Sequence, residues 1–193
     1  MSSEVENRLK IFANMVLRYG RSLTSHDSFE ELWILSIMDS VMGWVYIKKF
    51  QDSADIVYDV GSGAGFPAVV VAIIDPNVKV IAIDKKKKSV VFMEMVKDRL
   101  GLHNLEPVHG DAYKLLRNTK KGGMIISRAV APISEFVSML PDDLKLPLFL
   151  WKGPRWKEEL KGTHMWYPFF EANYELKMKD EVRLRYIVGL ERR

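Results

Sequence analysis

The 193-residue sequence contains no cysteine, which excludes disulfide bonds, thiol catalysis and thiolate metal sites. Its four histidines are scattered without the spacing of metal ligands, so we expect no metal site. It also lacks both an apolar run of about 18 residues and a signal-peptide pattern, so we expect neither a membrane span nor export. These absences are compatible with a soluble protein of the reducing cytoplasm, and we expect a cytoplasmic location.

The charge has only a small excess of one sign. Lysine and arginine number 29 and the acidic residues 25, for a formal net charge of +4. This mild excess favours an anionic partner such as nucleic acid without requiring one. With 48% hydrophobic and 28% charged residues, the composition is typical of a globular protein that buries a substantial core.

The most informative stretch lies between residues 55 and 67. A short β-branched run, Ile56–Val60, leads into three glycines at alternate positions and then into an apolar run, Ala68–Ile74. This pattern predicts a strand, a tight loop and a helix. Glycine permits a positive φ and leaves no Cβ between loop and ligand, and a helix N-terminus attracts an anionic group. We therefore predict a ligand-binding loop at Gly61, Gly63 and Gly65.

Two acidic residues accompany this loop. Asp84 ends the next strand-like run, where a carboxylate accepts hydrogen bonds from ribose hydroxyls, and the charge of Asp59 could face an amine or a sulfonium. The G-x-G-x-G spacing is one residue shorter than the dinucleotide fingerprint. Together these features fit S-adenosylmethionine better than NAD. The alternative is an ordinary turn between a strand and a helix, followed by a surface aspartate.

Strand-like and helix-like stretches alternate after this loop, which predicts a parallel sheet with helices on both faces. The predicted strands are Val78–Ile83, Leu105–Val108, Met124–Ser127 and Leu146–Trp151, and the predicted helices are Lys87–Leu100, Asp111–Arg117 and Pro132–Leu140. Pro107 indicates an edge strand or a strand end. Further on, Thr163–Leu176 and Val182–Leu190 flank a charged segment, Lys177–Glu181, and predict a β-hairpin.

The first 50 residues precede the glycine loop and predict two helices. Apolar residues recur on one face from Glu4 to Tyr19, and Ser28–Glu31 has the pattern of a capping box that opens a second helix. A loop is predicted from Gly20 to Asp27. We interpret residues 1–50 as a helical appendage, packed against the sheet edge or over the ligand pocket, and residues 51–193 as one globular domain.

Residues that directly follow strands are candidate ligand contacts, because ligands of open α/β sheets bind beyond the carboxyl ends of the strands. Asp111, Ala112 and Tyr113 could contact an adenine, and Asp111 could equally serve as a helix N-cap. Arg128, after Ser127, has a planar fork that matches a carboxylate, a phosphate or the edge of guanine. A surface salt bridge is its alternative role.

Two basic segments are compatible with RNA. Trp151–Lys157, which includes Lys152, alternates aromatic and basic residues that could stack on bases and hold phosphates. A basic loop beside a core tryptophan is the alternative. Lys85–Lys88 could touch an RNA backbone, but a solvated helix start is the preferred interpretation of such a run.

Three segments in this order resemble a known family. Asp59–Pro67, Ser127–Pro132 and Lys152–Gly153 are similar to motifs of the bacterial 16S ribosomal RNA guanine-N7 methyltransferases, the RsmG or GidB family. Further similarity lies at Glu31, Trp33, Ile37–Ser40 and Arg183–Leu190. The sequence departs from the family pattern at Tyr19–Thr24, Leu35–Ser36, Ala68 and Asp111–Tyr113.

The resemblance implies a Rossmann-like class I S-adenosylmethionine-dependent methyltransferase fold of the α/β class. Such a fold has a mostly parallel seven-stranded sheet that ends in an antiparallel hairpin. The implied activity is methyl transfer from S-adenosylmethionine to N7 of a guanine in the decoding region of 16S rRNA. The implied partner is the 30S subunit, and we expect a monomer.

The resemblance also implies roles for particular residues. The implied catalytic residues are Arg128, Ser127 and Lys152. Arg128 and Ser127 would position the donor and the target base, and Lys152 would hold RNA phosphates. The implied cofactor-binding residues are Asp59, Gly61, Gly63, Gly65, Phe66, Asp84, Asp111, Ala112, Tyr113 and Arg128. No general base is needed, because guanine N7 has a free lone pair and no proton to lose.

Two other functions remain open from the sequence. One is a methyltransferase that acts on a small molecule or a protein, and the other is a non-catalytic RNA-binding module on the same scaffold. A nicotinamide-dependent dehydrogenase is disfavoured by the glycine spacing.

Overall fold

The computed structural model describes residues 1–19, 23–51, 54–117, 119 and 122–192. In these residues seven strands form one sheet, in the order β3-β2-β1-β4-β5-β7-β6. The strands are β1 Ile56–Val60, β2 Lys79–Asp84, β3 Leu105–His109, β4 Met124–Arg128, β5 Leu148–Lys152, β6 Trp166–Met178 and β7 Glu181–Arg192.

The sheet is parallel from β1 to β5 and antiparallel at its end. β1 pairs in parallel with both β2 and β4. The chain runs from β1 outward to β2 and β3 and then crosses back to β4 on the other side of β1, where the strand order reverses. This reversal is the topological switch point at which open α/β sheets bind ligands. β7 pairs antiparallel with β5 and β6, which confirms the predicted hairpin, and Pro107 lies in the edge strand β3 as predicted. The hairpin turn is tighter than predicted, because Lys177 and Met178 continue β6.

Helices cover both faces of the sheet, as predicted. The helices are α1 Ser3–Tyr19, α2 Phe29–Leu32, α3 Asp39–Phe50, α4 Ala68–Ile74, α5 Lys87–Leu100, α6 Ala112–Leu116, α7 Ile133–Ser138 and α8 Trp156–Glu159. One apolar cluster packs α1, α3, α4 and α5 on one face, and a second packs α6, α7 and α8 on the other. Of the helices in the described residues, none is long and apolar enough to cross a membrane.

The second helical segment of the N-terminal region has three parts. Ser28 Oγ accepts the Glu31 N–H at 3.2 Å and so caps α2 as predicted, while the Glu31 carboxylate accepts the Asp27 N–H at 3.2 Å. α2 continues through a π-helical segment, Trp33–Met38, into α3. Of the loop predicted from Gly20 to Asp27, residues 20–22 lie outside the described residues.

The N-terminal helices share the core of the sheet. Leu9 and Phe12 of α1 and Ile37 of the π-helical segment are fully buried in the same apolar cluster as Val57 of β1. The helices therefore pack on one face of the sheet. The division into residues 1–50 and 51–193 as separate parts stays a prediction.

Asp39, the first residue of α3, connects these helices to four strands. Its side chain is only 2% exposed, and its Oδ2 accepts a bond from Arg128 Nη1 of β4 at 3.1 Å. Its Oδ1 accepts the Tyr174 hydroxyl of β6 at 2.8 Å and lies 3.7 Å from Arg185 Nε of β7. Its backbone oxygen accepts the Trp151 indole N–H of β5 at 2.9 Å. Because a buried carboxylate is costly unless it is paired, these contacts fix α3 against the strand ends.

Substitution of Gly43 by alanine tests this packing. A Cβ at Gly43 would lie 2.2 to 2.5 Å from three atoms of the Trp151 indole, which the Asp39 carbonyl holds in place. Gly43→Ala should lower the free energy of unfolding by about 1–3 kcal/mol through overpacking, although alanine is the better helix former. Urea unfolding measures the change.

The matched control is Gly153→Ala, since a Cβ at Gly153 would meet no atom within 4 Å among the described residues. It should keep nearly wild-type stability. A Gly43→Ala variant as stable as the control would contradict the close packing of α3 on Trp151.

Candidate active site

A cavity of about 410 Å³ opens at the carboxyl ends of β1, β2 and β3, within the size range of small-molecule sites. Six of the predicted cofactor residues line it: Gly61, Gly63, Asp84, Asp111, Ala112 and Tyr113. The other four, Asp59, Gly65, Phe66 and Arg128, are not part of its wall. The structure thus brings the glycine loop and the residues after β2 and β3 to one place.

The three glycines of the loop all have positive φ, at +77°, +56° and +92°. A Cβ at Gly61 would lie 2.4 Å from Val130 Cγ2, and one at Gly65 would lie 2.5 Å from Val69 Cγ2, so packing requires glycine at both positions. A Cβ at Gly63 would meet nothing closer than a carbonyl oxygen at 3.9 Å. Gly63 therefore presents bare backbone to the cavity, and a side chain there would take up ligand space.

Asp84 joins the glycine loop to the end of β2. Its Oδ2 accepts the Gly63 N–H at 2.7 Å, and its Oδ1 accepts the Lys86 N–H at 2.7 Å. A carboxylate has about four acceptor positions, so both oxygens keep capacity for a further donor. Asp84 can therefore accept hydroxyl groups of a ligand in the cavity.

Asp59 is buried beneath the loop. Its Oδ2 accepts the Ala68 N–H of α4 at 3.2 Å, whereas its Oδ1 has no hydrogen-bond partner in the described part of the chain. Burial raises the pKa of Asp59 to about 7, and the hydrogen bond from Ala68 and the charge of Arg128 oppose the shift. The Ser62 hydroxyl donates to the backbone carbonyl of Asp59 at 3.1 Å, and not to its carboxyl group. A buried acceptor without a partner is rare in folded proteins, and a ligand cation close to it would offset its desolvation.

Asp111, Ala112 and Tyr113 form the cavity wall after β3. Asp111 caps α6 by accepting the Lys114 N–H at 3.4 Å, and its other oxygen lies 2.9 Å from Lys85 Nζ. Ala112 is buried and Tyr113 is 40% exposed. The predicted N-cap is confirmed, and the same three residues also line the cavity.

Arg128 is held by the N-terminal helices. Its Nη1 donates to the Leu35 carbonyl at 2.9 Å and to Asp39, its Nη2 donates to Ser36 Oγ at 3.0 Å, and its guanidinium lies 5.1 Å from the centre of the Phe66 ring. The side chain is 16% exposed, so the anion that it meets is a buried carboxylate rather than a surface one. A direct contact between Arg128 and a donor or target base stays a prediction.

Ser127 and Lys152 also bond to the protein itself. Ser127 is buried, and its hydroxyl donates to the Val60 carbonyl at 2.8 Å. Lys152 Nζ donates to the Ala131 carbonyl at 2.6 Å and to Glu159 at 2.8 Å, and its side chain is 10% exposed. Both side chains satisfy groups that would otherwise lose a partner. A role of Ser127 in positioning the donor and the target base, and of Lys152 in holding RNA phosphates, stays a prediction.

Sequence reasoning missed two contributors to the site. Asp39 binds Arg128. It lies in the Ile37–Ser40 segment of the family resemblance and is a charged residue within an otherwise apolar helical run, which indicates a buried partner. Val130 lines the cavity and packs on Gly61. Its position after β4, within the Ser127–Pro132 segment, was the signal for it, but no role was assigned to its apolar side chain. Within the described residues, no group of three or more histidine or acidic side chains could hold a metal ion.

The raised pKa of Asp59 predicts a pH-dependent stability. Its folded-state pKa of about 7 lies above its unfolded value of about 3.9, so the folded protein binds the extra proton between these values. This group therefore reduces stability as the pH rises from about 4 to about 7. An asparagine at this position cannot titrate, so Asp59→Asn removes this pH dependence. The free energy of unfolding of the variant minus that of the wild type should therefore rise with pH, by up to about 1.4 kcal/mol per pH unit in this window.

Urea unfolding at about pH 5, 6 and 7 measures this difference. Asp111→Asn is the control, because its ion pair with Lys85 lowers the pKa of Asp111 and moves its titration below the window. A constant difference between wild type and Asp59→Asn would contradict the raised pKa.

Comparison with known proteins identifies the family. Residues 5–179 match the GidB family, described as rRNA small subunit methyltransferase G. Proteins named Ribosomal RNA small subunit methyltransferase G are similar: the one from Mesoplasma florum is 31% identical over 169 residues, covering 84% of this chain and 69% of its own length. The protein of this name from Thermoanaerobacter sp. is 29% identical, and the match covers 94% of this chain and 77% of the relative. The protein from Borrelia garinii is 33% identical, and the match covers 66% of this chain and 59% of the relative.

Solved structures share the fold. Precorrin-6y C5,15-methyltransferase from Geobacter metallireducens has a TM-score of 0.57 and 14% identity, with 90% of this chain and 92% of that chain covered. M. jannaschii TYW2 in complex with AdoMet has a TM-score of 0.50 and 18% identity, with 78% and 77% covered. The sheet is therefore the Rossmann-like sheet of class I methyltransferases, as predicted. With the family match over most of its length, the chain belongs to the rRNA small subunit methyltransferase G family.

Proposed function

We propose that this protein transfers a methyl group from S-adenosylmethionine to N7 of a guanine in the decoding region of bacterial 16S rRNA. The proposal includes the 30S subunit as partner, a cytoplasmic location, a monomer and no metal. The observation that carries it is the cavity between the glycine loop and Asp84, at the switch point of the sheet in a chain of an rRNA methyltransferase family.

The donor fits the residues present. The bare backbone at Gly63 leaves room for the methionine portion, and the unpartnered Asp59 Oδ1 lies beneath the same loop. The Asp84 carboxylate has free acceptor capacity for ribose hydroxyls, while Ala112 and the half-exposed Tyr113 flank an adenine. When bound, the donor supplies a methyl group on a sulfonium centre.

The protein's contribution to this transfer is placement. Guanine N7 carries a free lone pair, so the side chains have to orient two reactants in line and exclude water, and no base is needed. Ser127 and Arg128 serve this purpose by fixing the ends of β1 and β4 and the N-terminal helices. Three of the five guanidinium N–H groups of Arg128 are bonded to Leu35, Asp39 and Ser36, so a direct bond to the target base uses one of the other two or replaces one of these partners.

We place the phosphate contacts on exposed basic residues near the cavity and the end of β5. Arg155 and Lys157 are exposed, and Lys157 Nζ lies 5.3 Å from the centre of the Trp156 ring. Lys86–Lys88, also exposed, begin α5 beside the cavity. Lys157 Nζ also lies 3.8 Å from the Glu171 carboxylate, in an exposed ion pair. Exposed residues of this kind can meet an RNA backbone more readily than Lys152, whose ammonium is bonded inside the protein.

Methyl transfer to ribosomal particles tests the function. Purified protein is incubated with labelled S-adenosylmethionine and 30S subunits that lack N7 methylation, and the label is mapped. We expect the label on N7 of one guanine in 16S rRNA. Donor uptake without transfer to rRNA would instead favour a small-molecule or protein acceptor, and RNA binding without donor uptake would favour a non-catalytic RNA-binding module.

Alanine at Gly63 tests the donor site. Its Cβ would enter the cavity, so Gly63→Ala should weaken the binding of S-adenosylhomocysteine about tenfold or more, a loss of about 1.4 kcal/mol. Gly101→Ala is the matched control, since Gly101 has a similar φ of +60° and its Cβ would meet no described atom within 4 Å. Both variants carry the same backbone strain of about 1–2 kcal/mol. Equal calorimetric affinities would contradict donor binding on the bare loop.

A further inference from the structure

One wall of the cavity is the loop that follows β4, residues 129–132, here called the β4 loop. Its residues Ala129 and Val130 line the cavity, and Val130 packs against the bare backbone of Gly61. Ala129 has a φ of +55°, which is unfavourable for a residue other than glycine. A backbone in such a conformation persists only where its surroundings hold it.

The surroundings that hold the β4 loop converge on one carboxylate. Glu159 Oε2, from α8, accepts the Ile133 N–H at 3.1 Å and Lys152 Nζ at 2.8 Å. Lys152 Nζ in turn donates to the carbonyl of Ala131 at 2.6 Å. The C-terminal half of the β4 loop is therefore bonded on both sides, through its carbonyl and through the first amide of α7.

Glu159 replaces a cap that α7 lacks. The N-cap position of α7 is Pro132, which offers no side-chain hydrogen bond to the helix. A free helix N-terminus has unpaired N–H groups and a partial positive charge, and a carboxylate there is stabilising. Glu159 supplies this carboxylate from another helix and also balances the charge of a lysine that is 10% exposed.

We propose that Glu159 is a positioning residue for the donor site. It acts through Lys152 and Ile133 to hold the β4 loop against the glycine loop, and it has no contact with the cavity itself. The inference rests on the proposed function for the identity of the ligand as S-adenosylmethionine. Loss of the carboxylate leaves the Ile133 N–H without its acceptor and Lys152 with only its bond to the Ala131 carbonyl. The β4 loop then becomes more mobile, and so does the cavity wall that it forms.

Substitutions at Glu159 and Glu158 separate this role from general stability. Glu159→Ala removes the acceptor, and Glu159→Gln keeps an acceptor oxygen without the charge. Glu158→Ala and Glu158→Gln are matched controls, because Glu158 is the preceding residue of α8, carries the same charge and is exposed. Each variant is examined by amide hydrogen exchange without ligand, by calorimetric titration with S-adenosylhomocysteine and by urea unfolding.

In Glu159→Ala the amides of residues 129–131 and 133 should exchange faster, and S-adenosylhomocysteine should bind about tenfold more weakly. Glu159→Gln should show a smaller effect in the same direction, and both Glu158 variants should match the wild type. If Glu159→Ala does not fold, the glutamine variant carries the test.

Two results would overturn the inference. The first is a folded Glu159 variant with lower stability but wild-type affinity, since Glu159 would then be a structural clamp without influence on the donor site. The second is a wild-type protein that takes up no S-adenosylhomocysteine, which would also overturn the proposed function. The wild-type titration therefore distinguishes a failure of the proposed function from a failure of the role of Glu159.

Discussion

The arrangement of this fold depends most on the bonds that the buried carboxylate of Asp39 accepts from Arg128 and Tyr174. Removal of a carboxylate from water is costly, so Asp39 requires Arg128 and Tyr174 in place, at 3.1 Å and 2.8 Å. These partners come from strands far along the chain, and the Asp39 carbonyl adds the Trp151 indole of β5. Asp39, at the start of α3, thus fixes the N-terminal helices against the strands beside the glycine-loop cavity.

The side chains around the cavity fall into two groups, those that are bonded within the protein and those that line the cavity. The three residues that the family resemblance assigned to catalysis, Ser127, Arg128 and Lys152, are bonded to Val60, Asp39 and Glu159 respectively. The cavity itself is lined by glycine backbone, by the Asp84 carboxylate and by apolar side chains such as Val60, Ile83 and Val130. Such a site suits a reaction in which the acceptor already has a lone pair, because rigid placement then matters more than proton transfer.

Local patterns were enough to predict most of the fold. Strand-like runs separated by helical ones predicted the parallel sheet, and alternate glycines predicted the loop, because each depends on neighbouring residues. The short helix α8 and the π-helical segment were missed, since neither has a periodicity of its own. The Arg128–Asp39 pair joins residues 89 positions apart, so only tertiary packing reveals it. For the same reason, the bond of Lys152 to Glu159 was not predicted, and its contact with RNA phosphates stays a prediction.

The crystal structure of the protein with S-adenosylhomocysteine tests the central claim most directly, namely that the glycine-loop cavity is the donor site. The account predicts that the nucleoside lies over Gly63, with its ribose hydroxyls within hydrogen-bond distance of the Asp84 carboxylate and its adenine beside Ala112 and Tyr113. An empty cavity at saturating ligand, or a ligand bound elsewhere on the folded protein, would contradict it.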